Sequence, residues 1–417
     1  MKRLLILIFF SAAPAHAEPP LDLVAAIERA RTHHERAALT REAMRIAEAE
    51  VRQAWAAVLP RLALESGAGF TGGTGTRAPA RGRFALDATL GLSAPLFEPR
   101  VVPWAKRAEF IEKSVQAQAE YDLLELAFAV ADAWYGAWVA QRLKEAAERT
   151  VNTAQENLAV VKARREVGRS LAVDEAQAEL RVVQAREGLT VAENLVASSL
   201  DLLGVLVGIE GPLVLAEPTL PPDPVTEVEG RAVEARPDVR ALSLAAEAAW
   251  VAVENAWMDF LPSVGAQVFA GVGTDQAFDS SFTNYGVGLA FTWLIYGAER
   301  GPRHEVEAAR ARAARLQADL RTREARFAVR QARRDLLAVT ATGVTAEQAL
   351  ALARESRTQV LARYRAGRAT SLELVAAEDT LRQSELARVA RTLELHRARL
   401  ALFRAQGFDP LGKESIR

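Results

Sequence analysis

Two stretches of more than sixty residues, Pro103 to Gly168 and Pro302 to Gly367, contain almost nothing that breaks a helix. Each holds one internal glycine, Gly136 or Gly343, and no internal proline. At 1.5 Å rise per residue, such a run makes a helix roughly 100 Å long. No single globular core accommodates that length, so these helices must pack lengthwise in a coiled-coil-like array. Each opening proline falls in the first turn, where its missing N–H has no partner to lose. Each closing glycine ends the run, and a second helix, about 172–206 or 371–405, returns antiparallel.

The two stretches belong to an internal duplication. Gln53-Ala54-Trp55 followed by Leu59-Pro60 recurs as Asn255-Ala256-Trp257 followed by Leu261-Pro262, and further on Pro103 pairs with Pro302, Phe128 with Phe327, and Asp174 with Glu373. The offset slips from 202 to 199 between Pro60 and Pro103, where the first copy has the longer loop. Two copies of that size are no solenoid, whose periods run to about 20–50 residues. Each copy reads as an amphipathic helix (about Leu21–Val58, then Asp238–Phe260), a strand, a Gly/Thr/Ser loop, a returning strand and a long helical hairpin. The first repeat spans 18–207 and the second 231–407. A proline- and glycine-rich linker, 208–230, is expected on the outside of the helices, and 408–417 is a C-terminal tail.

Residues 1–17 read as a secretory signal peptide: Lys2 and Arg3, an apolar run from Leu4 to Phe10, and Ala15-His16-Ala17 as a cleavage site. The chain has no cysteine, which excludes a disulfide framework, a thiolate metal site and a lipid-carrying cysteine. A net charge of −1 implies no nucleic-acid partner, and the excess of arginine over lysine reads as genome composition. After the signal, no apolar run is expected to reach the ~20 residues of a transmembrane helix. An exported chain of this kind enters a membrane only as a β-barrel.

The strand segments alternate accordingly. Leu86, Leu90 and Leu92 in the first copy, and Val287, Leu289 and Phe291 in the second, fall on one face, the expected lipid face. Small and polar residues such as Thr89, Gly91 and Gly288 fall on the other. Phe84–Leu96 and Tyr285–Ile295 read as the returning strands, with Tyr285 and Trp293 at headgroup level. Four strands cannot close a barrel whose smallest closed form has about eight. Glycine, alanine and serine on the inward face cannot fill a small barrel, so a water-filled trimer of twelve strands is expected.

"RPDVRAL" (236–242), "ARYRAG" (362–367) and "SLELVAAEDTLRQSELARVARTLELHRARLALFRAQG" (371–407), in this doubled order, resemble the TolC-like outer-membrane efflux proteins. The resemblance covers essentially the whole mature chain. It implies a mainly α fold with a β-barrel portion, in which long antiparallel hairpins form an α-barrel tunnel below a twelve-stranded barrel. It further implies a homotrimer that docks to a periplasmic adaptor (membrane fusion) protein and an inner-membrane RND pump or ABC exporter. The turns at Gly168 and Gly367 would then be a periplasmic tip that closes the duct. Asp174 matches a family position that bonds a tyrosine of the other copy, and Tyr364 matches that tyrosine. Arg368 stands one position before the family's gate arginine, with Ala369 in its place. Glu373 matches the first of two acidic positions ringing the tunnel mouth; the second is Ala376. Asp174 and Glu373 read equally well as first-turn acids favoured by the helix dipole.

No serine–histidine–acid or paired-carboxylate arrangement points to catalysis. The adjacent His33 and His34 do not share a helix face, so no metal or other cofactor is expected. The resulting expectation is a passive export duct of a tripartite efflux or type I secretion system, in the outer membrane and extending into the periplasm. The alternative is a periplasmic structural or adaptor coiled coil, which would need the strands to form a soluble sheet.

Overall fold

The computed structural model describes residues 20–71, 83–168, 170–217, 231–274 and 281–412. The expected signal peptide, most of the linker and the end of the C-terminal tail lie outside the described residues.

The first copy opens with α1 (Leu23–His33) and α2 (Glu35–Ala56), then β1 (Arg61–Thr71), β2 (Arg83–Phe97), α3 (Val101–Glu166) and α4 (Ala172–Val207). The second repeats the order with α5 (Arg231–Ala235), α6 (Pro237–Glu254), β3 (Ser263–Thr274), β4 (Ser281–Thr292), α7 (Arg300–Arg365) and α8 (Ser371–Gln406). The long helices begin two residues before their prolines, which occupy the first turn as expected.

Three boundaries depart from the sequence reading. The first helix is broken at His34, whose extended backbone ends α1 while its Nδ1 accepts the Arg36 N–H at 3.0 Å and caps α2. The second copy's helix stops at Glu254 and tightens into a 3₁₀ turn, Ala256–Phe260. Strand β4 ends at Thr292, leaving Trp293 and Ile295 beyond it. A bulge between Pro95 and Phe97 in β2 also puts Phe97, not Leu96, opposite Val264.

Helices α3 and α7, 66 residues each, span the whole helical body. Beside α3 lie α4 in the lower half and α1–α2 in the upper half. Beside α7 lie α8 below and α6 above. The halves interlock because α3 also packs against α8 and α6. Each short-helix junction turns on a left-handed glycine, Gly208 (φ 69°) or Gly407 (φ 82°).

The main core sits at these junctions, around Ile27, Leu126, Val130, Trp134, Leu203 and Phe403. The start of the linker packs into it: Leu213 is buried, Leu21 pairs with Leu215, and the Trp134 indole donates to Leu21 O at 3.2 Å.

The "RPDV" segment clamps the second junction. Arg236 donates twice to Asp238, at 3.0 and 2.9 Å, and once to Ala405 O at 2.7 Å, while Arg321 reaches Asp238 at 2.8 Å. Burial alone would raise the Asp238 pKa, but the two guanidiniums outweigh it and hold the carboxyl below its usual range.

One sequence expectation fails on composition. Among the described residues, three helices contain an 18-residue window apolar enough to cross a membrane: α3 (67 % of it buried), α4 (22 %) and α7 (11 %). In α3 the window is the core. In α4 and α7 it lies on the outer helices of the lower row α4–α3–α8–α7, and most of it is uncovered in one protomer.

His396 on α8 is 2 % exposed, stacks on Tyr135 of α3 at 4.4 Å, and has its Nδ1 buried without a partner. Burial, reinforced by Arg399, lowers its pKa to about 4. The unfolded chain therefore takes up a proton near pH 6.5 that the folded protein refuses until about pH 4. Stability should fall across that window by on the order of 3 kcal/mol. Thermal unfolding at stepped pH checks this, and His396→Phe should lose most of the acid sensitivity between pH 6.5 and 4.

Candidate functional site

The four strands form one antiparallel sheet in the order β1-β2-β3-β4. Its register carries one apolar face across every strand. Leu62 lies opposite Leu92, Leu92 opposite Val268, and Val268 opposite Val287; Leu64, Leu90, Ala270 and Tyr285 form the next row. This face is exposed, Leu64 by 72 % and Val287 by 81 %, and neither hydrophobic core contains a strand residue. A soluble sheet buries one face on a core; this one leaves its apolar face exposed.

Small side chains on the other face make room for larger neighbours. A Cβ on Gly286 would meet the Phe269 ring at 2.7 Å, and one on Gly273 would meet the Phe282 ring at 2.7 Å. Leu86, Leu90, Leu92, Val287, Leu289 and Phe291 all lie on the apolar face.

A tryptophan stands at the helix-side end of each strand: Trp55 before β1, Trp104 after β2, Trp257 before β3 and Trp293 after β4. All four are exposed. Trp55 donates to Glu109 at 3.1 Å and Trp293 to Phe260 O at 3.0 Å, so their N–H groups are held by the protein. Such an amphipathic row suits a membrane–water boundary. Sequence reasoning found only Trp293, although the others flank the strands just as closely. Tyr285 lies within β4, opposite Ala270, rather than at this rim.

At the far end, both hairpin turns close on left-handed glycines, Gly168 (φ 70°) and Gly367 (φ 71°). The Arg368 N–H bonds Arg363 O at 2.8 Å, completing a Schellman-type cap, and its side chain is exposed. Glu373 forms a full capping box: it accepts the Thr370 N–H at 2.7 Å, and its own N–H donates to Thr370 Oγ1 at 3.2 Å. The Thr370 backbone N–H holds its carboxyl below the usual range. Asp174 makes half of such a box, accepting the Leu171 N–H at 3.0 Å and the Ser170 hydroxyl at 3.1 Å.

Asp174 and Tyr364 line one cleft of about 800 Å³ between the hairpins. Near the tip, side-chain links cross between the hairpins, and sequence reasoning missed two of them. Asn157 on α3 donates to Glu378 on α8 at 2.8 Å, and the Arg164 guanidinium lies 4.2 Å from the centre of the Tyr364 ring. Lys162 and Arg165 on α3 pair with Glu175 and Glu179 on α4, fastening the first hairpin within itself.

This order of a two-faced sheet, a tryptophan rim and long paired hairpins closed by glycine turns is matched elsewhere. Residues 26–208 and 229–407 match the outer membrane efflux protein family. The chain belongs to that family. Among curated relatives, the toluene efflux pump outer membrane protein TtgC of Pseudomonas putida is 31 % identical over 193 residues, which are 44 % of this chain and 40 % of TtgC. The match thus spans less than half the length of that relative.

Solved structures extend the likeness in fold. VceC of Vibrio cholerae superposes with a TM-score of 0.77 at 20 % identity, over 93 % of this chain and 96 % of VceC. The MtrE channel of Neisseria gonorrhoeae, in an open state, gives 0.78 at 19 % identity, over 95 % and 91 %. The TolC-like fold expected from the sequence is the observed one, and this is an outer-membrane protein with a helical body in the periplasm.

Asn157→Ala with Tyr364→Ala removes these two links near the tip while leaving each hairpin's own ion pairs intact. Spin labels at positions 177 and 379, on either side of the cleft, should then report a longer and broader distance distribution by pulsed EPR. An unchanged distribution would show that the links do not hold the tips together.

Proposed function

We propose that the chain is one protomer of a homotrimeric export duct, whose sheet crosses the outer membrane and whose hairpins form the periplasmic tunnel of a tripartite efflux or type I secretion system. The observation that carries this reading is the exposed apolar face on a four-stranded sheet with two open edges. In lipid, the unpaired edges of β1 and β4 must find partners. Three copies supply twelve strands and a lumen lined by the glycine-rich face, too wide for its side chains to fill. The uncovered apolar windows of α4 and α7 support the same assembly, because they lie on the helices that neighbouring copies would meet. An exposed apolar sheet speaks against a wholly periplasmic coiled coil.

Leu86, Leu90, Leu92, Val287, Leu289 and Phe291 face lipid, and the tryptophan row sits at the inner headgroup level. The tip is the closed gate. Tyr364 is held there by Arg164, with Asp174 on the same cleft as a second partner when the hairpins shift. Glu373 and the exposed Arg368 set the charge at the mouth. The duct is passive and carries out no reaction. The cleft between α4 and α8, floored by α3, has the shape for an amphipathic helical hairpin of a periplasmic adaptor. That adaptor would connect the duct to an inner-membrane RND pump or ABC exporter, which selects the cargo.

Leu90→Arg and Val287→Arg should each sharply reduce trimer recovered from outer membranes, since a central charge facing lipid costs about 2–4 kcal/mol. Thr89→Arg, on the lumen face, should assemble normally and change single-channel conductance in planar bilayers. Equal assembly of all three variants would reject the assigned facing, and absence of any conductance from wild-type trimers would reject the duct.

A further inference from the structure

The two long helices are copies of one another, yet their upper halves carry opposite charge. Residues 300–334 hold eleven arginines against four carboxylates, whereas the matching residues 101–135 hold three basic residues against six acidic ones. A genome rich in arginine explains arginine over lysine; it does not explain arginine over glutamate in one copy only.

The excess is placed regularly. Arg312, Arg315, Arg323, Arg326, Arg330 and Arg333 follow at steps of three and four, interrupted once by Asp319, and therefore share one face of α7. All six are exposed. Arg315 lies 3.7 Å from Asp319 and Arg326 lies 3.5 Å from Glu234, while Arg312, Arg323 and Arg330 pair with no carboxylate among the described residues. Like charges at such spacing repel and weaken a helix, so the ladder is not there for the helix itself.

The duplication also shows what this face is for. The matching positions on α3 include Leu124, Ala127, Ala131 and Trp134, all buried beneath α1 and the first residues of the linker. In copy one, then, the face is a docking surface. Among the described residues, its counterpart in copy two is covered by the five-residue α5, through Val233 and the Glu234–Arg326 pair. Because α1, α5 and the first residues of the linker would plug the passage if they lay inside a three-fold ring, the duct reading puts this face on the outside. At 1.5 Å per residue, the ladder runs from about 20 to 50 Å below the sheet.

We propose that this ladder is a binding surface for the carboxylate-bearing peptidoglycan through which a periplasmic duct must pass. The proposal rests on the duct reading for its geometry. Guanidinium pairs with carboxylate in a planar, two-bond fork, and a row of them suits a polymer that presents carboxylates repeatedly on its peptide stems. Binding through many exposed pairs should be multivalent and sensitive to salt.

The test is co-sedimentation of detergent-purified trimers with isolated peptidoglycan sacculi. Wild-type trimers should sediment with sacculi at low ionic strength and be released progressively as salt is raised. The triple variant Arg312→Gln/Arg323→Gln/Arg330→Gln should bind several-fold less, with trimer mass and conductance unchanged, and the corresponding triple lysine variant should retain most of the binding. Failure of wild-type trimers to sediment, or equal sedimentation of the glutamine variant, would overturn the proposal. So would binding only to anionic phospholipid vesicles. If the duct reading itself were wrong, the wild-type protein would lack trimer mass or conductance before any sacculi were added.

Discussion

A backbone amide in hydrocarbon must find its partner within protein, and the structure follows from that constraint. The sheet pairs β1 with β2, β2 with β3 and β3 with β4, which leaves one row of N–H and C=O groups open on each outer strand. On the reading proposed above, the exposed apolar face lies against lipid, where those open rows cannot be left to water. One chain cannot close them. The duplication supplies four strands instead of two, and the remaining closure has to come from other copies of the chain.

The helices meet the same demand in a different medium. Below the membrane, a wall one helix thick has no deep core, so it is held by a long shallow stripe of alanines and by charged pairs between helices, such as Arg397 with Asp132 and Arg404 with Glu125. Stability concentrates where short helices meet end to end. There the buried Arg236–Asp238 pair, reached by the half-buried Arg321, and the core around Trp134 lock both halves of the wall together. The tip has no such core. Among the described residues it carries a capping box, an arginine on a tyrosine and an asparagine–glutamate bond, which would suit the gate proposed for it.

Much of this was legible in the sequence because it depends on period and punctuation. The breaker-free runs, the glycine turns and the period-two alternation each correspond to one backbone geometry, and Gly168, Gly367 and the alternating leucines of β2 lie where those rules put them. What escaped depends on contacts between distant segments. His34 breaks a continuous helical pattern because its ring caps the next helix. The apolar windows of α4 and α7 read as ordinary helix because alanine is neutral to periodicity. Asn157–Glu378 and Arg164–Tyr364 join residues 200 or more apart, and no local spacing announces them. The Arg-Pro-Asp motif was visible as a helix start but not as a clamp, since half of its partners come from α7 and α8.

The central claim is that the four-stranded sheet closes only through three copies. Mass measurement of the detergent-solubilised particle, with the detergent contribution subtracted, tests it most directly. A protein mass of three chains is the predicted result. A folded particle of one or two chains would leave the sheet's edges open in lipid and contradict the account.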